Sequence, residues 1–243
     1  DPAWEGGSPL DGGPGGADLG SLAHWVLARW DGRGASLPRW LASPEGERGR
    51  TLLNLLPQDL RPLFRDASVR ETLERWLGGF SETPWGELFR TALSLPSCRR
   101  EVPFRVPLGE TLLVGAVDLL WQDGSGLHLR DHKTARSAEA AETLYSHQLR
   151  FYALAARRAH GEAPDLALWL LRPRNDGSFP PPLEVPPPGD WDLLEEEVRA
   201  VAAQAARGPY PPERSRCPSC PWRNDCPEGT GKNGPSKGDR KTV

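Results

Sequence analysis

The sequence predicts a mixed α/β fold in which a central sheet is flanked by helices. Three observations carry that expectation. Four segments with apolar residues at helical spacing come first, and three consecutive strand-like segments follow them. After the strands come a long helix, one more strand and a last helix. Between the second and third strands, Asp123-Gly124-Ser125-Gly126 punctuates two apolar runs as a hairpin turn does.

Taken in order, helices are expected at Asp18–Trp30, Arg50–Phe64, Ser68–Phe80 and Pro84–Ser94, and strands at Arg99–Leu108, Thr111–Gln122 and Gly126–Lys133. A long helix over Glu139–His160 leads to a fourth strand, Leu166–Arg172. Pro180–Gly189 reads as a proline-rich crossing, and Trp191–Arg207 as the last helix. Residues 1–17, rich in Gly and Pro, read as a flexible linker, 18–228 as one domain, and 229–243 as a polar, basic tail expected to be disordered. No internal repeat is visible.

Length and composition narrow the class. A chain of 243 residues can bury one sizeable core. It lacks methionine, which is expected of a domain excised from a longer parent chain. No apolar run reaches membrane-spanning length and no signal-type segment is visible, so a cytoplasmic location without a membrane partner is the expectation. The net charge of −3, from 30 basic and 33 acidic residues, makes no global lure for nucleic acid. Positive charge would have to be concentrated locally, with Arg99, Arg100, Arg105, Arg130, Lys133, Arg136, Arg150, Arg157 and Arg158 as candidates. Of the ten tryptophans, Trp25, Trp30, Trp40 and Trp76 occupy helix positions suited to packing, and Trp121, Trp169 and Trp222 flank the motifs. Core packing is the expected role for them, ahead of base stacking.

The chemistry concentrates in the predicted hairpin. Asp118 lies inside the apolar run Leu112–Leu120, where a carboxylate needs a partner. Asp131 and Lys133, two residues apart on the facing strand, point to the same side. Two carboxylates and a lysine suit phosphodiester hydrolysis. Hard divalent cations take carboxylate oxygens, polarise a phosphoryl oxygen and lower the pKa of a water, while the ammonium neutralises developing charge. The bland alternative is an exposed cross-strand pair. Two further segments bear on the choice: His24 follows Gly20 on the first helix, and Gln148 and Tyr152 share one face of the long helix.

Together, Gly-x-x-x-His, Gly-x-x-Asp, Asp-x-Lys-Thr and Gln-x-x-x-Tyr, in that order, resemble the RecB-type branch of the PD-(D/E)XK nucleases, over about Leu19 to Cys226. The resemblance implies a restriction-endonuclease-like core and a DNA nuclease using Mg2+ or Mn2+. It implies His24, Asp118 and Asp131 as metal ligands with the backbone carbonyl of His132, Lys133 as the catalytic lysine, and Gln148 and Tyr152 lining the substrate groove. Glu101, in a Glu-x-Pro-Phe strand start, reads as structural; His128, His147 and His160 match nothing and read as solvated or packed.

Near the end of the chain, Cys217, Cys220 and Cys226 have the spacing of thiolate ligands, and a zinc reading is open. The pattern also resembles the iron-sulfur staple of the AddB-like branch, which implies a 4Fe-4S cluster. There the fourth cysteine precedes the histidine helix, whereas here none does. Either Cys98 substitutes or the ligand lies upstream of Asp1.

The resemblance implies the nuclease module of a bacterial RecB/AddAB-like helicase-nuclease that processes double-strand breaks, in the cytoplasm at the nucleoid. Its partners would be DNA, the helicase domain of the parent chain and a partner subunit. No phosphate-cradling loop is present, since Gly229-Thr230-Gly231-Lys232 lacks the strand and the spacing. Two rival classes stand beside it: a catalytically silent module that grips single-stranded DNA, and a metal-stapled scaffold whose acids are incidental.

Overall fold

The computed structural model describes residues 16–33, 54–135 and 138–207. Helices α1 (Gly16–Leu27), α2 (Arg61–Arg65), α3 (Ala67–Ser81) and α4 (Pro84–Ser94) precede strands β1 (Arg99–Leu108), β2 (Thr111–Asp123) and β3 (Gly126–Lys133). Then α5 (Ala138–His160) crosses to β4 (Asp165–Leu170), and β5 (Leu183–Val185) and α6 (Trp191–Arg207) follow. Local chemistry sets the helix starts. Asp66 accepts the Ser68 N–H at 2.8 Å ahead of α3, Thr83 accepts the Gly86 N–H at 3.0 Å ahead of α4, and Asp190 accepts from Asp192 and Leu193 ahead of α6.

The sheet runs β1-β2-β3-β4-β5, parallel between β3 and β4 and antiparallel elsewhere, so it is mixed as expected. The parallel pair requires a crossover, which α5 supplies. On one face, Leu22 and Val26 of α1, Trp30 just beyond it, and Leu73, Leu77 and Phe80 of α3 pack with Phe89 against Trp121 and Trp169 of the sheet. On the other, Leu149 and Ala153 of α5 cover Leu129, Leu166, Leu168 and Leu170. Leu194 and Val198 of α6 extend that layer over Val106 and Leu108. Trp25, Trp30, Trp76, Trp121 and Trp169 are all buried, in keeping with packing roles, while Trp40 and Trp222 lie outside the described residues.

One irregularity interrupts the sheet. Val117 packs on the α5 side and Leu119, two residues later, on the α1 side, although alternate residues of a regular strand share a face. On β1, Arg100 reaches the α1 carbonyls whereas Val102 packs toward α5. Between them lies Glu101 at φ +50°, the one non-glycine with positive φ among the described residues. The pairing steps from Arg100–Leu119 to Val102–Val117, and so sets Glu101 opposite Asp118 at the point where both strands change face.

Several expectations are corrected. The helix expected over Arg50–Phe64 is not continuous: only Arg61–Arg65 is helical after Pro57, which has no N–H to give, and residues 50–53 lie outside the described set. The proline-rich crossing contains β5, three residues paired to β4 and bracketed by prolines on both sides. The fourth strand ends at Leu170. Two basic residues expected at a groove are engaged elsewhere. Arg100 donates to the carbonyls of Leu27 (3.0 Å) and Trp30 (2.6 Å) at the end of α1, and Arg130 is buried against Trp121 and bonded to Asp165 at 2.6 Å. The outer edge of the sheet, β1, carries Pro103 and Pro107.

Two glycines of the helical layer should respond in opposite directions. A Cβ at Gly86 would sit 2.2 Å from the Phe80 carbonyl oxygen, whereas one at Gly78, inside α3, would meet nothing within 4 Å. Gly86→Ala is expected to destabilise by about 1–3 kcal/mol or more, and Gly78→Ala to stabilise by about 0.5–1 kcal/mol. Urea denaturation checks both, and a Gly86→Ala variant as stable as wild type would refute the close approach of α4 to the end of α3.

Candidate active site

The site forms where the β2–β3 ladder stops. Its last main-chain pair is Leu119–Arg130. One step further, the Asp118 carboxylate inserts between the strands, and its Oδ2 accepts the His132 backbone N–H at 2.7 Å. A side chain thus replaces a main-chain acceptor in the ladder, and the N–H stays satisfied. The His132 ring also approaches, with Nδ1 3.5 Å from the same oxygen, while the remainder of the imidazole is enclosed by Phe89 and Trp169. From the last turn of α1, His24 Nδ1 lies 3.3 Å from Asp118 Oδ1. Asp118 therefore stands between two histidines.

The motif glycines have steric reasons. A Cβ at Gly20 would lie 3.1 Å from Thr134 Oγ1, so its absence lets α1 pack against the end of β3 and brings His24 to the acids. A Cβ at Gly115 would lie 2.6 Å from the Phe104 ring and 3.3 Å from that of Tyr152. Phe104 and Tyr152 meet edge to face at 5.4 Å through that gap.

Asp131 is almost wholly buried, and Lys133 Nζ lies 2.7 Å from its Oδ2 in an ion pair. The ammonium also sits 4.6 Å from the centroid of the Tyr145 ring. From α5, Gln148 Nε2 donates to Tyr152 Oη at 2.5 Å. Glu101, expected to be structural, belongs to the site: ligand atoms of His24, Glu101 and Asp118 all lie within 4.8 Å of one another. A histidine nitrogen and carboxylate oxygens at that spacing, beside a second buried carboxylate, suit a divalent cation of the magnesium or manganese kind.

The electrostatics separate the two aspartates. Burial raises the Asp118 carboxyl, but bonds and charge from His132 and His24 outweigh it and hold the group well below the usual range. Asp131 is pushed up to about 6 by burial and by the Asp118 charge, with Lys133 opposing. Burial and Asp118 raise Glu101 as well. Burial disfavours charge on His24 and Lys133, yet Asp118 raises the former and Asp131 the latter. His132 is lowered by burial, against the pull of Asp118. Two like carboxylates thus hold their protons very differently, a common property of sites that bind metal or move protons.

The structure therefore brings together His24, Asp118, Asp131, His132, Lys133, Gln148 and Tyr152, and adds Glu101 and Tyr145. The positive φ of Glu101 had no signature in the amino-acid pattern. Its place opposite Asp118 did have one, since a hairpin turning at Gly109-Glu110 imposes that register. His128 stacks on Trp121 at 4.7 Å and bonds Asp123 and Asp165 at the far end of the sheet, and His147 and His160 are exposed. Cys98 is half-buried against the α1 core, and burial pushes its thiol up. Cys217, Cys220 and Cys226 lie outside the described residues, as do Arg136, residues 1–15 of the linker expected over 1–17, whose last two residues instead belong to α1, and the tail expected over 229–243.

A mixed sheet between helical layers, with buried acids and a lysine at a break in the central strands, defines a restriction-endonuclease-like α/β fold. The sequence profile of the PD-(D/E)XK nuclease superfamily matches residues 8–227, and the chain belongs to that superfamily. Membership points to a nuclease acting on DNA, in a superfamily that typically uses Mg2+ or Mn2+. No curated protein sequence matches the chain significantly. Among solved structures, SSO0001 is similar over 84% of both chains at 14% identity and a TM-score of 0.40. Protein VC1899 from Vibrio cholerae is similar over 81% of this chain and 57% of its own, at 16% identity and a TM-score of 0.29. Among the described residues no helix is long and apolar enough to cross a membrane.

The Asp131 carboxyl sets a pH dependence. Its pKa in the fold, about 6, lies above the ordinary 3.8, so the fold binds that proton more tightly than the unfolded chain. The associated stability is complete below about pH 4 and lost as pH rises through about 6, a swing of about 3 kcal/mol. In chelator, the melting temperature of Asp131→Asn relative to wild type should therefore climb between pH 4 and pH 7.5. Parallel melting curves for the two proteins across that window would contradict the buried placement of Asp131.

Proposed function

We propose that this chain is a metal-dependent deoxyribonuclease of the RecB type, an exonuclease module within a helicase-nuclease that processes double-strand breaks. The observation that carries the reading is the convergence of His24, Glu101 and Asp118 beside the buried Asp131–Lys133 pair. In this reading His24, Asp118, Asp131 and the His132 carbonyl hold Mg2+ or Mn2+, and Glu101 adds a further carboxylate. When bound, the cation supplies Lewis acidity toward the phosphoryl oxygen and acidifies a water.

The protein's own groups do the rest. The His132 amide and the two imidazoles orient Asp118, so that one carboxylate stays ionised well into acid. Asp131 takes up a proton near pH 6 when the site is empty, and must release it to serve as a ligand. Lys133 presents its ammonium toward the charge that develops on the phosphoryl group. Gln148 and Tyr152, bonded to each other, line the groove and steady the scissile strand.

The helicase-associated role rests on the resemblance to the RecB and AddAB nucleases and on the cysteines. Cys217, Cys220 and Cys226 have a spacing that suits a 4Fe-4S staple, with Cys98 or a residue upstream of Asp1 as fourth ligand, and zinc as the competing occupant. The partners are then DNA ends or unwound strands, the helicase domain of the parent chain and a partner subunit, at the nucleoid. Iron and zinc analysis of anaerobically purified protein separates the two occupants of the cysteine segment.

The nuclease reading is tested on single-stranded DNA with Mg2+ or Mn2+. Asp118→Ala and Lys133→Ala should each cut at least about a hundredfold more slowly while retaining the wild-type circular dichroism spectrum. Glu101→Gln should raise the metal concentration needed for half-maximal rate, with a smaller loss at saturation. A near wild-type rate in either Asp118→Ala or Lys133→Ala would sink the assignment.

A further inference from the structure

Lys133 is held from two sides, and only one of its partners belongs to the motif from which the activity was read. A lysine ammonium has three donors at the end of a flexible stem, and nothing intrinsic to the side chain selects which direction each one takes. Here Asp131 Oδ2 lies 2.7 Å from Nζ, and the face of Tyr145 lies 4.6 Å away by centroid. Its side chain is only 14% exposed, so the contact with the ring is largely shielded from water, where attraction between a cation and an aromatic face is strongest. Tyr145 lies three residues before Gln148 and seven before Tyr152, on the stripe of α5 that faces the site.

We propose that Tyr145 is a positioning residue for Lys133. Its ring face fixes one side of the ammonium, Asp131 fixes another, and the remaining N–H is left for the reacting phosphoryl group or its attacking water. The ring acts through Lys133 and need not touch substrate. Its hydroxyl takes no part, so Phe should serve at this position and an aliphatic side chain of similar bulk should not. This inference rests on the nuclease reading for its kinetic consequence alone; the geometry of the ammonium is independent of it.

The test compares Tyr145→Phe and Tyr145→Leu with wild type by two measurements. In metal-free protein, a heteronuclear NMR experiment reads the Lys133 terminal methylene and ammonium resonances, which an aromatic face shifts upfield. The shift should persist in Tyr145→Phe and collapse in Tyr145→Leu. In the Mg2+-dependent assay on single-stranded DNA, Tyr145→Leu should lower kcat about ten- to thirtyfold with KM within about twofold, and Tyr145→Phe should restore kcat to within about threefold of wild type.

A Tyr145→Leu variant that keeps the upfield resonance or the wild-type kcat overturns the proposal. So does a Tyr145→Phe variant as impaired as Tyr145→Leu, because the hydroxyl would then be the operative group. Should Tyr145→Leu fail to fold, Tyr145→Met, flexible and without a ring, takes its place under the same expectations. If wild type itself cuts no DNA, the nuclease reading fails, and the resonance comparison still decides whether the ring holds the ammonium.

Discussion

The structure depends on one substitution of partners: the Asp118 carboxylate takes the His132 N–H that a main-chain carbonyl of β2 would otherwise receive. A sheet that stayed zipped at this point would leave no gap between its two central strands. Because a side chain completes the ladder, β2 can turn its face and β1 must follow, which it does at Glu101 in a left-handed backbone conformation that non-glycine residues rarely adopt. Such strain persists only where the surroundings over-determine it. Here they include β2 pairing on both sides of the break and Arg100, which ties the strand to the last carbonyls of α1.

The same opening explains why the acids differ so much. Asp118 meets an amide and two imidazoles, all able to stabilise its charge. Asp131 meets one ammonium, a buried setting and the negative charge of Asp118. Placing a second carboxylate in such a site costs stability, which the apolar layers on both faces offset. Trp169, Phe80 and Phe89 close one side beneath His132, and Leu149 and Ala153 close the other. The rigidity of those layers holds His24, Glu101 and Asp118, from three different elements, with their ligand atoms within 4.8 Å of one another.

Much of this was legible in the residues. Period-two and helical patterning located the sheet and its helices, and Asp118, Asp131, Lys133 and His24 were recognisable because polar groups in apolar stretches need a chemical reason. What escaped had physical causes. Glu101 looked like an ordinary strand-start acid because alternation assumes a strand keeps its face, and a positive φ leaves no compositional trace. Arg100 and Arg130 looked like surface charge, yet carbonyls at the end of α1 and a carboxylate on β4 made their burial tolerable. A strand of three residues between prolines is below what periodicity can detect. Pro57 was visible, but the apolar spacing around it outweighed its effect on the backbone. Tyr145 could not be seen at all, since a ring over an ammonium is a tertiary contact between α5 and β3.

The borders of the sheet have a bearing on how the protein behaves in company. At one border Pro103 and Pro107 withhold two donors from β1 and Glu101 bends its start; at the other, prolines confine β5 to three residues. Among the described residues, neither border offers a long uninterrupted row of free amides on which a foreign strand could dock. Growth of the sheet by intermolecular pairing, the usual route from a stored or crowded α/β protein to fibrous deposits, is thereby obstructed at both ends. A foreign strand approaching either border among the described residues would meet an interrupted row of donors, so its backbone could pair over only a short stretch.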